Sequence, residues 1–337
     1  MTSEPDDATA PASGAARWRA AIGALVAIVL LAAAIRAIWV HRADLQAAFD
    51  SARGASPALV VLALTTPLVS WLTTSLAFWL LSRRHAPVPL SDMTALIGAA
   101  WLLNYLPFRA GMVGRVAFHK RYHAMAVRDS VGVMVKALVA TGVSLAALLA
   151  AAALSTRVDS ELARGAIVLA PTLLAAGIAL GAGVLGLSFW PEAGAVAARS
   201  LDMLAWAARY LIAFELLGRS ITLPQAAAIT AVSQAAMLVP ITGAGLGLRE
   251  WAVAITAGVL PAFVIASGSQ GQATALALAA DLLNRAAETL VALPAGLVSV
   301  AFLGSRVRAL TPRDPRRIRA PGDDPTDSHP RTDSGRA

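Results

Sequence analysis

Residues Val239–Trp251 read V-P-I-T-G-A-G-L-G-L-R-E-W, a proline and three alternating glycines set against an Arg-Glu pair in otherwise apolar surroundings. Backbone that Gly243, Gly245 and Gly247 leave free to bend cannot face hydrocarbon with unpaired N–H and C=O groups. It must be buried in protein or line a wet cavity. On either side the chain is apolar enough for lipid: 57% of all residues are hydrophobic, 14% are charged and the mean hydropathy is +0.66. Soluble proteins carry charge on about a quarter of their residues. The expected class is therefore an all-α, polytopic membrane helical bundle.

Apolar runs at about 19–40, 57–81, 129–154, 165–190, 200–218 and 273–303 are each long enough to cross roughly 30 Å of hydrocarbon as a helix. Three shorter pieces, about 93–107, 225–240 and 247–263, end at Pro or Gly and suit half-helices or re-entrant hairpins. Residues 1–18 read as a disordered tail without the basic start of a cleaved signal peptide. Residues 304–337, with Arg306, Arg308, Arg313, Arg316, Arg317 and Arg319, read as a basic disordered tail on the cytoplasmic side. Such a cluster beside a membrane helix points to anionic lipid rather than to nucleic acid. With no cysteine, disulfides and thiol chemistry are excluded.

Loop charges set the expected orientation. Arg83 and Arg84, then Arg109, Arg115, Lys120, Arg121 and Arg128, mark inside loops around segment 93–107, which would enter from the cytoplasm and return to it. Both termini then fall inside. The same residues expose a repeat. Leu80-Leu81-Ser82-Arg83, a short apolar segment and Pro107-Phe108-Arg109-Ala110-Gly111-Met112-Val113-Gly114-Arg115 resemble Leu216-Leu217-Gly218-Arg219, a short apolar segment and Pro240 through Arg249. The two copies, about 57–154 and 200–303, would be inverted, an architecture in which broken helices line a substrate path. The rival reading is duplication for packing alone.

Candidate site residues follow from charge in apolar runs, which costs about 2.5–3.5 kcal/mol at a helix centre. Asp281, Arg285 and Glu288 are spaced i, i+4 and i+7 with Asn284 beside them, on one helical face. They are either a self-neutralising structural cluster or a polar wall for a headgroup. Lys136 has no acid within a turn, so it must snorkel, find a distant partner or meet an anionic ligand. Around Gly243–Glu250 the small residues let backbone N–H groups converge, and Arg249 offers a planar fork suited to phosphate, with Glu250 as a pairing acid. Close helix packing is the alternative. Segment 109–128 is basic and partly amphipathic and could gather anionic headgroups. His119 and His123 have no acid nearby in sequence that would make a metal site. No catalytic triad, metal site or cofactor motif is legible.

The two glycine-basic stretches, the second followed by Leu282-Leu283-Asn284-Arg285-Ala286-Ala287-Glu288, resemble the lysylphosphatidylglycerol synthase transmembrane-region family over roughly 57–303. These are flippase-like membrane domains found alone or fused to aminoacyl-phospholipid synthases. The resemblance implies a multi-pass protein of a bacterial-type inner membrane that handles phospholipid or a polyprenyl-linked lipid. It would act without a cofactor and without lipid aminoacylation, since the soluble transfer domain has no counterpart here. Carried over by position are Pro107, Arg109, Gly111 and Arg115 in the first copy, and Gly243, Gly245, Gly247, Glu250, Arg285 and Glu288 in the second. Met112 stands where many members have an acid, and Lys136 where an arginine is usual. With Asn104, Arg249, Asp281 and Asn284, these residues make the expected path for a headgroup, anionic or zwitterionic. A scaffold or accessory subunit for an envelope-lipid enzyme is the alternative function.

Overall fold

The computed structural model describes residues 46, 50, 54–104, 110–238, 247–260, 264 and 267–310. The expected span at 19–40, both ends of the chain and most of the glycine stretch, including Gly243 and Gly245, lie outside them, as does Arg109. Among the described residues the fold is all-helical. The helices are α1 (Pro57–Ser82), α2 (Leu90–Leu103), α3 (Ala110–Tyr122), α4 (Val127–Ser155), α5 (Glu161–Val184), α6 (Trp190–Leu216), α7 (Leu223–Leu238), α8 (Leu248–Val259) and α9 (Gln270–Leu310). Four of them, α1, α4, α5 and α9, are long and apolar enough to cross a membrane.

The order long, short, short, long occurs twice, as α1–α4 and as α6–α9, with α5 between. Helices α2 and α3 pack on each other, as do α7 and α8. The first helices of the two units run antiparallel. Arg84, just past the end of α1, meets Glu192 at the start of α6; Thr74 meets Arg199; and Thr66 shares a crevice with Arg209. The second unit is thus inverted relative to the first.

Local chemistry explains most boundaries. Ser56 caps α1 ahead of Pro57, and Ser160 caps α5, each hydroxyl accepting from a backbone N–H three residues on. Helix α5 stops at Val184, earlier than its apolar run predicts, because Gly186 takes a left-handed φ of 63° and the Leu187 N–H bonds back to the Ala182 carbonyl at 2.8 Å. Helix α6 accordingly starts ten residues before the expected 200, with Pro191 in its first turn. At α7 the Thr222 N–H donates to Gln225 Oε1 at 2.7 Å, and at α8 the Gly247 N–H donates to Glu250 Oε2 at 2.8 Å, so each helix start recruits a side chain from its own first turn. Helix α9 runs on to Leu310, into the stretch read as a tail from 304, and Arg306 on its last turns reaches Asp92 at 3.4 Å.

Burial separates two neighbouring long helices. On α5 just Val168 and Ala182 are buried, whereas leucines such as Leu173, Leu174 and Leu180 face outward, as lipid contact requires. Helix α6 is the inner one and packs on α1, α4, α5, α7 and α9. Asp202 and Arg209 on it are therefore buried inside the bundle. One core joins Met203, Trp206, Tyr210 and Phe214 of α6 to α4, α5, α7, α8 and α9; a second joins α1, α2 and α4 to Ala195 and Ala198 of α6, and a smaller third joins α2 to Leu303 of α9.

Candidate functional site

Glu192, Arg199, Asp202, Trp206 and Arg209 fall within about 100° of one another around α6, on a face that runs from its first turn to Arg209. Two polar assemblies hang from this face, one in each repeat.

In the second repeat, α6, α8 and α9 bring three arginines and three acids together. Arg249, 1% exposed, places Nε 2.9 Å from Asp281 Oδ1 and Nη1 3.3 Å from Glu288 Oε2. Arg209 donates from Nε to Asn284 Oδ1 at 2.6 Å and from Nη2 to Glu288 Oε2 at 2.8 Å. Arg285 Nε lies 2.7 Å from Glu250 Oε1, and the Tyr210 hydroxyl donates to Asp281 Oδ1 at 2.8 Å. The Trp206 ring covers Arg209 at 3.9 Å and Arg249 at 5.3 Å. Arg209, Arg249 and Arg285 balance Glu250, Asp281 and Glu288, so the network is neutral. Each charge has a partner at contact distance, the condition under which a buried ion group survives in a low-dielectric interior. The expected residues Arg249, Glu250, Asp281, Asn284, Arg285 and Glu288 all belong to it. Gly247 opens α8 at φ 82°, a left-handed value that suits glycine.

In the first repeat the matching ground is open. A cavity of about 380 Å³ lies between α1, α3, α4 and α6, lined by Thr74, Phe78, Met112, Arg115, Val131, Met134, Val135, Leu138, Thr141 and Arg199 among others. Val131, Val135 and Leu138 are exposed on the outer face of α4, so the cavity opens sideways toward the lipid-facing surface. Its polar end is built of two guanidinium groups. Arg199 donates from Nε to Thr141 Oγ1 at 2.8 Å and from Nη1 to Thr74 Oγ1 at 2.7 Å, and its Nη1 pairs with buried Asp202 at 2.6 Å. Arg115, 9% exposed, stacks on the Phe78 ring at 3.9 Å and has no acidic partner among the described residues. Thr141 lies about 21 Å along α4 from its start, near the middle of that helix.

The remaining expected residues sit elsewhere. Gly111 brings α3 onto α2: a Cβ there would stand 2.5 Å from the Ala100 carbonyl oxygen and 2.7 Å from Asn104 Oδ1, so Asn104, the residue that ends α2, marks a packing contact outside the cavity. Lys136 pairs with Glu192 at 3.1 Å, and Glu192 also takes Arg84 at 2.9 Å. Of the three fates open to Lys136, the structure supplies a protein partner. His123 lies 3.4 Å from Asp92, which also receives Arg306, and His119 is buried beside His123. The described residues contain no group of three or more metal-binding side chains.

Sequence reasoning passed over Arg199, Asp202, Arg209 and Tyr210 because 200–218 reads as one more apolar span. The available signal was the one-sided spacing of Arg199, Asp202 and Arg209, the same pattern that singled out Asp281–Glu288. Comparison with protein-family models, with curated proteins and with solved structures found no match for the chain.

Proposed function

We propose that the protein handles membrane lipid, carrying a phospholipid or polyprenyl-linked lipid between leaflets of a bacterial-type inner membrane with both termini cytoplasmic. The observation that carries this reading is the first-repeat cavity, which combines a sideways mouth between lipid-facing valines with a polar end deep in the bundle. A headgroup can enter such a site while its tails stay in hydrocarbon. The inverted pair of units adds support, because two opposed half-bundles with short inner helices can rock about a shared centre. Helix α6 packs on α1 and α4 of the first unit as well as on α7 and α9 of its own, so it joins the two. The two glycine-basic stretches and their resemblance to the lysylphosphatidylglycerol synthase transmembrane-region family point the same way.

A second reading, a non-transporting scaffold for an envelope-lipid enzyme, draws on the paired charges of the second repeat, which lock α6, α8 and α9 together and leave no arginine there unbalanced. The two readings part in reconstituted vesicles. Purified protein should accelerate exchange of a fluorescent phospholipid between leaflets, read by chemical quenching of the outer leaflet. Leu138→Trp, which fills the cavity from its mouth without touching a charge, should return the rate toward that of empty vesicles. A wild-type rate equal to that of empty vesicles would remove the transport reading and leave the scaffold.

A further inference from the structure

The unbalanced charge of the first-repeat cavity names its ligand more closely. We infer that this cavity binds a lipid whose head is a phosphodiester bearing one net negative charge, with Arg115 as the residue that selects it. The inference deepens the lipid-handling reading and shares its cavity, but it concerns recognition rather than movement.

The argument is one of charge and shape. The cavity wall carries two positive guanidinium groups, Arg115 and Arg199. Arg199 is offset by Asp202 and further held by Thr74 and Thr141, so its charge is spent within the protein. Arg115 is nine-tenths buried against Phe78 with no acid beside it, which leaves the site with one positive charge. An isolated charge in such surroundings is costly, and a ligand that supplies the missing negative charge removes the cost. One charge is needed: a zwitterionic head supplies no net charge, and a phosphomonoester, near two charges at neutral pH, leaves a surplus. The planar fork of arginine matches two oxygens of a phosphate. Stacking on Phe78 holds the Arg115 guanidinium plane.

The rest of the wall asks for an amphiphile. Met112, Met134, Val131, Val135 and Leu138 offer nothing to a hydrated anion, and the last three lead out along α4 to the lipid-facing surface. Two methionines make a wall that adapts to chains of different shape. The volume of about 380 Å³ falls within the range of about 300–1,000 Å³ of small-molecule sites, so it holds a headgroup while the chains remain outside.

The test uses the full-length protein in nanodiscs of phosphatidylcholine doped with spin-labelled lipid, reading the motionally restricted fraction. Phosphatidylglycerol, a phosphodiester with one negative charge, should be enriched over labelled phosphatidylcholine by roughly ten- to a hundred-fold, the range for one charge-assisted contact. Phosphatidic acid should be held less well than phosphatidylglycerol. Arg115→Gln should abolish the enrichment and Arg115→Lys should keep part of it, with helical circular dichroism reporting that both variants are folded. Soluble glycerophosphoglycerol, the same head without tails, should fail to displace the lipid at millimolar concentration. Equal retention of phosphatidylglycerol and phosphatidylcholine by the wild type, or unchanged selection in folded Arg115→Gln, overturns the inference. Displacement by the soluble head overturns the lipid as its source and leaves a free-anion site. Leaflet exchange without charge selection defeats this inference but spares the transport reading, and selection without exchange does the reverse.

Discussion

Arg249 and Arg115 are equivalent by position in the two repeats, 249 − 115 = 134 residues apart, yet their surroundings have diverged. Around Arg249 the following long helix supplies Asp281 and Glu288, and the inner helix supplies Arg209 and Tyr210 to complete the network. Around Arg115 the following long helix supplies Val131, Met134, Val135 and Leu138, and the first helix of the unit supplies Thr74 and Phe78. One arginine is consumed by the protein; the other is left to be satisfied by something else. A repeat of this kind can divide labour, with one half rigid enough to act as the frame against which the other half meets a ligand.

The largest effect should come from breaking the closed half. Arg249→Ala strips Asp281 of its arginine and leaves Glu288 with Arg209 alone, and removal of one partner from a buried ion group costs about 3–5 kcal/mol. Arg115→Ala strips no acid of its partner, so it should cost far less or nothing. Thermal unfolding in detergent of the two variants side by side measures the difference. Equal destabilisation would mean that Arg115 has a structural partner after all and that the two halves are alike.

The broad architecture was legible in the residues, and the difference in charge pairing between the two halves was not. Apolar run length located α1, α4 and α9, because a membrane-spanning helix must be long and uniformly apolar. The short segments followed from Pro and Gly near their ends, and appear as α2, α7 and α8 within a few residues of their expected limits. The charged face of α9 stood out because Asp281, Arg285 and Glu288 interrupt an apolar run at helical spacing. Their pairing could not be read, since the partners Arg209, Arg249 and Glu250 come from other helices. Glycines are denser in the second copy, which makes it the more conspicuous of the two in the sequence. Openness leaves a weaker trace: Val131, Met134 and Val135, which line the cavity, are ordinary apolar residues in an apolar run. A helix that packs on five others, like α6, can carry Asp202 and Arg209 inside the bundle.

A smaller contrast tests how rigidly each half is packed. A methyl group at Gly111 would meet backbone, the Ala100 carbonyl oxygen and Cα at 2.5 and 2.8 Å, which cannot move without shifting α2. A methyl group at Gly258 on α8 would meet the Thr274 hydroxyl at 2.5 Å, a side-chain group that can be displaced at the cost of its bond to the Gln270 carbonyl. Gly111→Ala should therefore cost about 1–3 kcal/mol, the range for overpacking that a core cannot relieve, and Gly258→Ala less. Chemical-denaturant unfolding monitored by tryptophan fluorescence would show the order. A reversed order would place the stiffer contact in the second repeat.

The smallest effect belongs to the pair of basic residues that follow the two arginines, Lys136 and Arg285. Arg285 is largely buried and holds Glu250, the acid whose other oxygen accepts the Gly247 N–H at the start of α8, so one side chain links an ion pair to a helix start. Lys136 has 42% of its side chain exposed, and its partner Glu192 is also held by Arg84. Lys136→Met removes one of two cations from a half-exposed acid and adds apolar surface beside Val135 and Val139, so its net cost should stay under about 1 kcal/mol. Lys136 lies beside a separate cavity of about 200 Å³ rather than in the wall shared by Arg115 and Arg199, so the variant should also retain lipid selection. If Lys136→Met removed selection as fully as Arg115→Gln, the ligand would have to reach across both cavities. The single positive charge assigned to the site would then be two.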